Sequence, residues 1–295
     1  MSEGAAPASG AGILARAPSG LLVVGAITSA QFGSSLAATL LRQLAPGGTA
    51  FVRLASAAIV LLVLWRPRLR GRTSGELLLV GVFGLVLAGL NLSFYEALER
   101  IPLGIAVAIE FVGPLAVAVA GSRRRVDVLW VSSAVVGILA LTGGEAHGVS
   151  ALGVAFALAA GCLWGTYILL NARLGQAFEG STGVALVLSV AAVVTLPVGI
   201  ATGGRHLLEP ESLALGAAVG MLSSAIPYSL EVEALRRIAT SVFGVLMSLE
   251  PAVAALAGFL VLGQQLGARA LVGIALVVIA SVGASRRRPD AALSV

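Results

Sequence analysis

The chain of 295 residues has no lysine, one cysteine and two histidines, and only 11% of its residues are charged. Each scarcity removes a class of protein. A soluble domain carries about 25% charged residues, and no single water-soluble core hides the apolar material found here, 58% of the chain. The lone Cys162 lies inside an apolar run, so no disulfide framework holds the fold. There is no phosphate-cradling glycine loop with its lysine, no HExxH and no Cys/His cluster with metal-ligand spacing, and His147 and His206 fall in loops. The expectation is a chain that is not an enzyme and carries no cofactor or metal; ATP-driven transport would need another chain. A soluble enzyme, a nucleic-acid-binding domain and a secreted disulfide scaffold are excluded.

What the chain has instead is uncharged runs: Ala17–Leu41, Leu77–Tyr95, Val128–Gly144, Ala146–Ala172, Gly180–Gly204, Ser212–Leu230 and Ala270–Ser285. Most reach the ~18 residues that read as a membrane-spanning helix. A transmembrane barrel shows alternating segments of about ten residues, not continuous apolar runs. The fold class expected is an all-α polytopic membrane protein with ten spans, near 20–41, 47–65, 76–95, 101–121, 127–143, 150–170, 181–202, 212–233, 239–262 and 267–285. The first run is too long for a signal-peptide core and reads as a retained span.

The net charge of +5 invites a polyanionic partner, but the 19 cations, all arginine, are scattered between the apolar runs. With the N-terminus inside, Arg16, Arg66, Arg68, Arg70, Arg72, Arg123, Arg124, Arg125, Arg173, Arg236, Arg237, Arg286, Arg287 and Arg288 are cytoplasmic. Only Arg42, Arg100, Arg205 and Arg269 face outward, and Arg53 lies within a span. The positive-inside rule then gives an even count of spans and two cytoplasmic termini. The bilayer, not nucleic acid, is the expected partner; a homodimer is left open.

The two halves resemble each other. Glu96-Ala97-Leu98-Glu99-Arg100-Ile101 matches Glu233-Ala234-Leu235-Arg236-Arg237-Ile238 at five of six positions, 137 residues apart, and the same offset carries Pro114 onto Pro251, Ala118 onto Ala255, Ala120 onto Ala257 and Gly121 onto Gly258. Phe32-Gly33-Ser34 parallels Trp164-Gly165-Thr166 at an offset of 132. The expected division is a first five-helix repeat over 1–143, with an N-terminal tail 1–19, and a second over 144–295, with a C-terminal tail 286–295. An odd number of helices per repeat makes the second copy enter the membrane in the opposite sense, the inverted layout of many secondary transporters.

Ionisable groups inside spans are costly and mark function by default. Arg53 sits a few residues into the second span, and Glu110 and Glu250 lie mid-span just before Pro114 and Pro251. A proline frees a carbonyl upstream, and in a membrane that carbonyl must find a partner or line a wet cavity. A carboxylate beside loosened backbone suits a proton or a cation. The bland alternative is a structural ion pair between Glu110 and Arg53; Arg53 alternatively grips a substrate carboxylate or snorkels to the interface. Glu96, Glu231 and Glu233 are near span ends. Gln31, Ser34, Ser35, Asn91, Tyr95, Trp164, Tyr167, Asn171 and Tyr228 supply further polarity; Asn91 and Tyr95 share a helix face, as do Tyr228 and Glu231. The Trp and Tyr residues are open between a cavity and interfacial belts.

Pro102-Leu103-Gly104-Ile105-Ala106-Val107-Ala108-Ile109-Glu110-Phe111-Val112-Gly113-Pro114-Leu115-Ala116-Val117-Ala118 resembles the bacterial threonine/homoserine exporters of the EamA branch of the drug/metabolite transporter superfamily. So do Ser122-Arg123-Arg124-Arg125-Val126-Asp127, Ile226-Pro227-Tyr228-Ser229-Leu230-Glu231 and Phe243-Gly244-Val245-Leu246-Met247-Ser248-Leu249-Glu250-Pro251-Ala252. The resemblance covers nearly all ten spans. It implies a multi-pass protein of the bacterial cytoplasmic membrane that exports small amino acids or related metabolites in exchange for protons. Where the family pattern often has Leu-Gly-Glu, this chain has Leu262-Gly263-Gln264, so any role of that acid is absent. The expected substrate-binding residues are Arg53, Asn91, Tyr95, Glu110, Trp164, Tyr167, Tyr228 and Gln31, with Glu110 and Glu250 coupling to protons. Export of cationic or aromatic drugs is the alternative; a non-transporting scaffold is a third.

Overall fold

The computed structural model describes residues 18–67, 71–119, 125–142, 149–178, 182–235, 237–238 and 246–285. Residues 1–17 of the expected N-terminal tail, the expected C-terminal tail 286–295, the boundary between the halves at 143–144, His147, residues 239–245 of the ninth span, and Arg16, Arg68, Arg70, Arg123, Arg124, Arg236, Arg286, Arg287 and Arg288 lie outside the described residues.

The regular elements are all helices: α1 Ser19–Trp65, α2 Ser74–Leu98, α3 Leu103–Glu110, α4 Val112–Val119, α5 Arg125–Thr142, α6 Ala151–Ala177, α7 Thr182–Gly203, α8 Pro210–Gly220, α9 Ile226–Leu235, α10 Glu250–Leu262 and α11 Ala268–Ser285. Five stretches among the described residues are long and apolar enough to cross a membrane: Ser19–Trp65, Ser74–Leu98, Ala151–Ala177, Thr182–Leu208 and Pro210–Glu231. Four shorter apolar helices accompany them, Leu103–Val117, Leu129–Ala140, Glu250–Leu262 and Ala268–Gly283. The chain is a polytopic membrane protein.

Helix α1 is two helices joined end to end. Ala45 has φ 53° and ψ 175°, which ends one arm, and Pro46, whose missing N–H is no loss in a first turn, opens the next. The arms double back on each other. Gly33 on the first arm abuts Ser223, and Arg53 on the second donates to the Ser223 carbonyl. On an unbroken helix those residues would stand about 30 Å apart. Other ends are fixed by side chains. Thr73 and Glu76 form a reciprocal cap on α2, Ser150 caps α6, and Gly263 closes α10 in the left-handed region. Gln264 accepts the first N–H of α3 from Leu103 at 3.1 Å.

Small residues set the packing, as expected where lipid supplies no hydrophobic drive between helices. Gly84 of α2 meets Val190 of α7, Gly216 of α8 meets Val52 of α1, and Gly137 of α5 meets the Gly273 carbonyl of α11. Ser133 of α5 donates to the Leu276 carbonyl of α11 at 3.2 Å. Large apolar side chains, among them Leu21, Ile59, Leu78, Leu85, Leu139, Val193 and Leu271, point outward, whereas Gln31, Arg53, Asn91, Glu110 and Glu250 are buried. Water would reject that distribution; lipid accepts it.

Candidate functional site: a polar cavity between the two halves of the chain

Three prolines shape the centre of the bundle. Pro114 cannot donate to the Glu110 carbonyl, and the helix breaks there into α3 and α4 at Phe111. The freed carbonyl lies against Gly161 of α6, where a Cβ would stand 2.6 Å from it. Pro251 opens α10, leaving Glu250 in that helix's first turn, the end at which a helix favours negative charge. Pro227 leaves the Ser223 carbonyl without its regular donor. Just upstream, Met221–Ala225 forms one wide π turn, and Arg53 Nη2 supplies the missing hydrogen bond at 2.8 Å.

Arg53 is held in two further ways. Its Nε donates to Ser224 Oγ at 3.1 Å and its Nη1 to the Tyr95 hydroxyl at 3.2 Å. A guanidinium has five N–H donors, so three bonds leave two without a partner among the described residues. No ion pair joins Arg53 to Glu110 among the described residues, and the structural pairing weighed from the sequence is not what anchors this arginine. The carboxylate of Glu250 takes a 2.8 Å hydrogen bond from Gln31 Nε2. Gln31 Oε1 and Glu250 Oε2 are buried and have no partner among the described residues.

These groups converge on one cavity of about 90 Å³. From the first half of the chain its wall takes Gln31, Ser34, Arg53, Phe94 and Glu110; from the second, Trp164, Tyr167, Tyr228, Glu231 and Glu250. The aromatic rings are turned inward rather than belted at an interface. Trp164 meets Phe111 edge-on at 5.2 Å, and Tyr167 packs between Phe83 at 5.1 Å and Tyr228 at 6.2 Å.

Of the residues singled out in the sequence, Gln31, Arg53, Glu110, Trp164, Tyr167, Tyr228 and Glu250 line this cavity. Tyr95 is fully buried behind Arg53 and touches it without lining the space. Asn91 is also buried outside the wall, its amide donating to the Leu87 carbonyl at 2.9 Å. Glu96 pairs with Arg100 at 2.6 Å, and Glu233 pairs with Arg237. Sequence reasoning missed Ser223 and Ser224 as partners of Arg53, and it placed Glu231 near a span end on the face of Tyr228 without counting it among the binding residues. The signal for Ser223 was the proline four residues on.

Apolar outside and charged within, with a polar chamber among its helices, the molecule is a multi-pass membrane protein. The sequence pattern of the EamA-like transporter family matches residues 151–286. The chain is 42% identical over 276 residues to the threonine/homoserine exporter RhtA of Salmonella typhimurium (strain SL1344), covering 92% of this chain and 93% of the relative. It is 41% identical over 268 residues to the threonine/homoserine exporter RhtA of Escherichia coli (strain K12), covering 90% of each. A solved crystal structure superposes with a TM-score of 0.64 at 18% identity, over 90% of this chain and 96% of the other, which shows a shared fold. The chain belongs to the EamA-like transporter family and is not an enzyme.

Proposed function

We propose that the chain is a secondary exporter of small neutral amino acids, threonine and homoserine first among them, across the bacterial cytoplasmic membrane in exchange for protons. The observation that carries this reading is the cavity wall. Arg53 keeps two N–H donors in their planar fork for a carboxylate, and Glu110, Glu231 and Glu250 offer acceptors to an ammonium across the same small space. Both nearby relatives carry threonine and homoserine in their names. At about 90 Å³ the space is well below the ~300 Å³ at which drug-sized pockets begin.

The architecture we propose is ten spans in two inverted five-helix repeats, 1–143 and 144–295, with both termini cytoplasmic. The repeated Glu-Ala-Leu segments support it. Ile101 and Ile238 close the same backbone turn, onto Ala97 and Ala234 respectively, and each segment carries a Glu–Arg pair four residues apart. Rocking of one repeat against the other opens the cavity alternately to each side, and Glu110 and Glu250 carry the protons.

In vesicles loaded with threonine, an imposed pH gradient is expected to accelerate efflux through the wild-type protein, and Glu110→Gln is expected to abolish that acceleration. An unchanged rate with unchanged gradient dependence sinks the coupling role. The excess of three carboxylates over one arginine, with four aromatic rings, favours a second reading, export of aromatic cations. Cells overproducing the protein then gain resistance to cationic dyes rather than to excess homoserine.

A further inference from the structure

We propose that Gln31 and Glu250 together form the subsite for the ammonium group of the exported solute. This rests on the reading of the chain as an amino-acid exporter and assigns one end of the substrate to two residues.

The two side chains come from opposite halves of the chain and are locked by one hydrogen bond, Gln31 Nε2 to Glu250 Oε1 at 2.8 Å. That bond fixes the glutamine amide, because its NH₂ must face the carboxylate and its carbonyl must face away. What remains is a pair of oxygens, Gln31 Oε1 and Glu250 Oε2, each buried and each without a partner among the described residues. Both residues are more than nine-tenths buried, and both line the cavity. Buried polar atoms in native proteins are nearly always satisfied, so an orphaned pair asks for an explanation.

An ammonium supplies it. It has three N–H donors and no acceptor, so it matches a site made only of acceptors, one of them charged. A carboxylate would meet repulsion there, and a hydroxyl has only one hydrogen to give to the two oxygens. Arg53 is the chemical opposite, with donors only, and it looks into the same cavity. The two ends of a zwitterion are thereby told apart. Glu110 and Glu231 also line the space and add negative potential, but neither has a fully buried oxygen left without a partner. The backbone holds the subsite in place. Glu250 stands in the first turn of α10, ahead of Pro251, and Gln31 lies one turn before Ser35, whose hydroxyl donates to the Gln31 carbonyl at 2.9 Å.

The test uses the purified full-length protein in detergent, with ligand-induced shifts of the melting temperature giving Kd. Three ligands separate the ends of the substrate: L-threonine, 1-amino-2-propanol, which lacks the carboxylate, and 3-hydroxybutyrate, which lacks the amine. Glu250→Gln is expected to weaken L-threonine and 1-amino-2-propanol at least tenfold each and to leave 3-hydroxybutyrate within twofold. Gln31→Met, which keeps length and removes both polar atoms, is expected to move the same two ligands about threefold, and it decides the matter if Glu250→Gln does not fold. Equal losses for all three ligands, or wild-type affinity for threonine in the variants, overturn the subsite while leaving export intact. A wild-type protein stabilised as well by 3-hydroxybutyrate as by threonine does the same. No shift with either threonine or homoserine overturns the export reading and the subsite with it.

Discussion

Arg53 is fastened by three bonds to groups that no other residue type could serve at once: a hydroxyl on Ser224, a phenol on Tyr95 and the Ser223 carbonyl. The fork geometry does this, and a lysine ammonium cannot span the three. Arg53→Lys should therefore leave at least one buried group unmet, at about 1–3 kcal/mol. Calorimetric titration with threonine is expected to show at least a tenfold weaker Kd, and the unliganded melting temperature is expected to fall. An unaltered Kd would remove Arg53 from the binding site. Single residues of this kind were legible in the sequence, because a charge or amide inside an apolar run stands out: Arg53, Glu110, Glu250 and Gln31 all did. Their partners were not. Ser223 and Ser224 look like the small residues that any membrane helix uses for packing, and Glu231 looked like a span end because Arg236 and Arg237 follow so closely.

At the scale of elements, the apolar helices could be read from hydropathy, and their interruptions only in part. Pro46 with Gly47 and Gly48 announces a break, and the reversal falls at Ala45 beside them. Pro114 announces a kink, but not that Gly113 and Gly161 would bring two backbones into contact there. The π turn at Met221–Ala225 leaves no local trace other than Pro227. A Cβ on Gly113 would fall on the Gly161 carbonyl, whereas one on Gly175, near the end of the same α6, meets nothing within 4 Å. Gly113→Ala is thus expected to destabilise by about 1–3 kcal/mol through overpacking, with lost threonine efflux. Gly175→Ala should be neutral or stabilising by up to ~1 kcal/mol, since alanine is the better helix former. Melting curves of the two variants in one detergent check the contrast; equal behaviour would mean that α4 and α6 do not meet as described.

On the scale of the whole molecule, the cavity has no owner. Each half of the chain contributes about half of its wall, and the one hydrogen bond that ties Gln31 to Glu250 runs from one half to the other. Two separately encoded halves, 1–143 and 144–295, should restore threonine-dependent stabilisation when co-expressed, and neither should show it alone. Binding by a single half would place the site within that half. The Glu-Ala-Leu segments and the matched prolines drew attention in the sequence to a division of this kind. The identity of the facing side chains was not, because their meeting depends on how α1 folds back and on which faces α6 and α9 present.

The kink at Glu110 has a practical consequence. Its freed carbonyl rests on Gly161, and the next residue is Cys162, the only thiol in the chain, exposed on the outer surface of the bundle. The molecule is therefore supplied with its own attachment point for a thiol-reactive fluorophore, one residue along α6 from the glycine on which the bent helix rests. A change at that contact can be read from a label there in the native sequence, with no residue of the cavity wall altered.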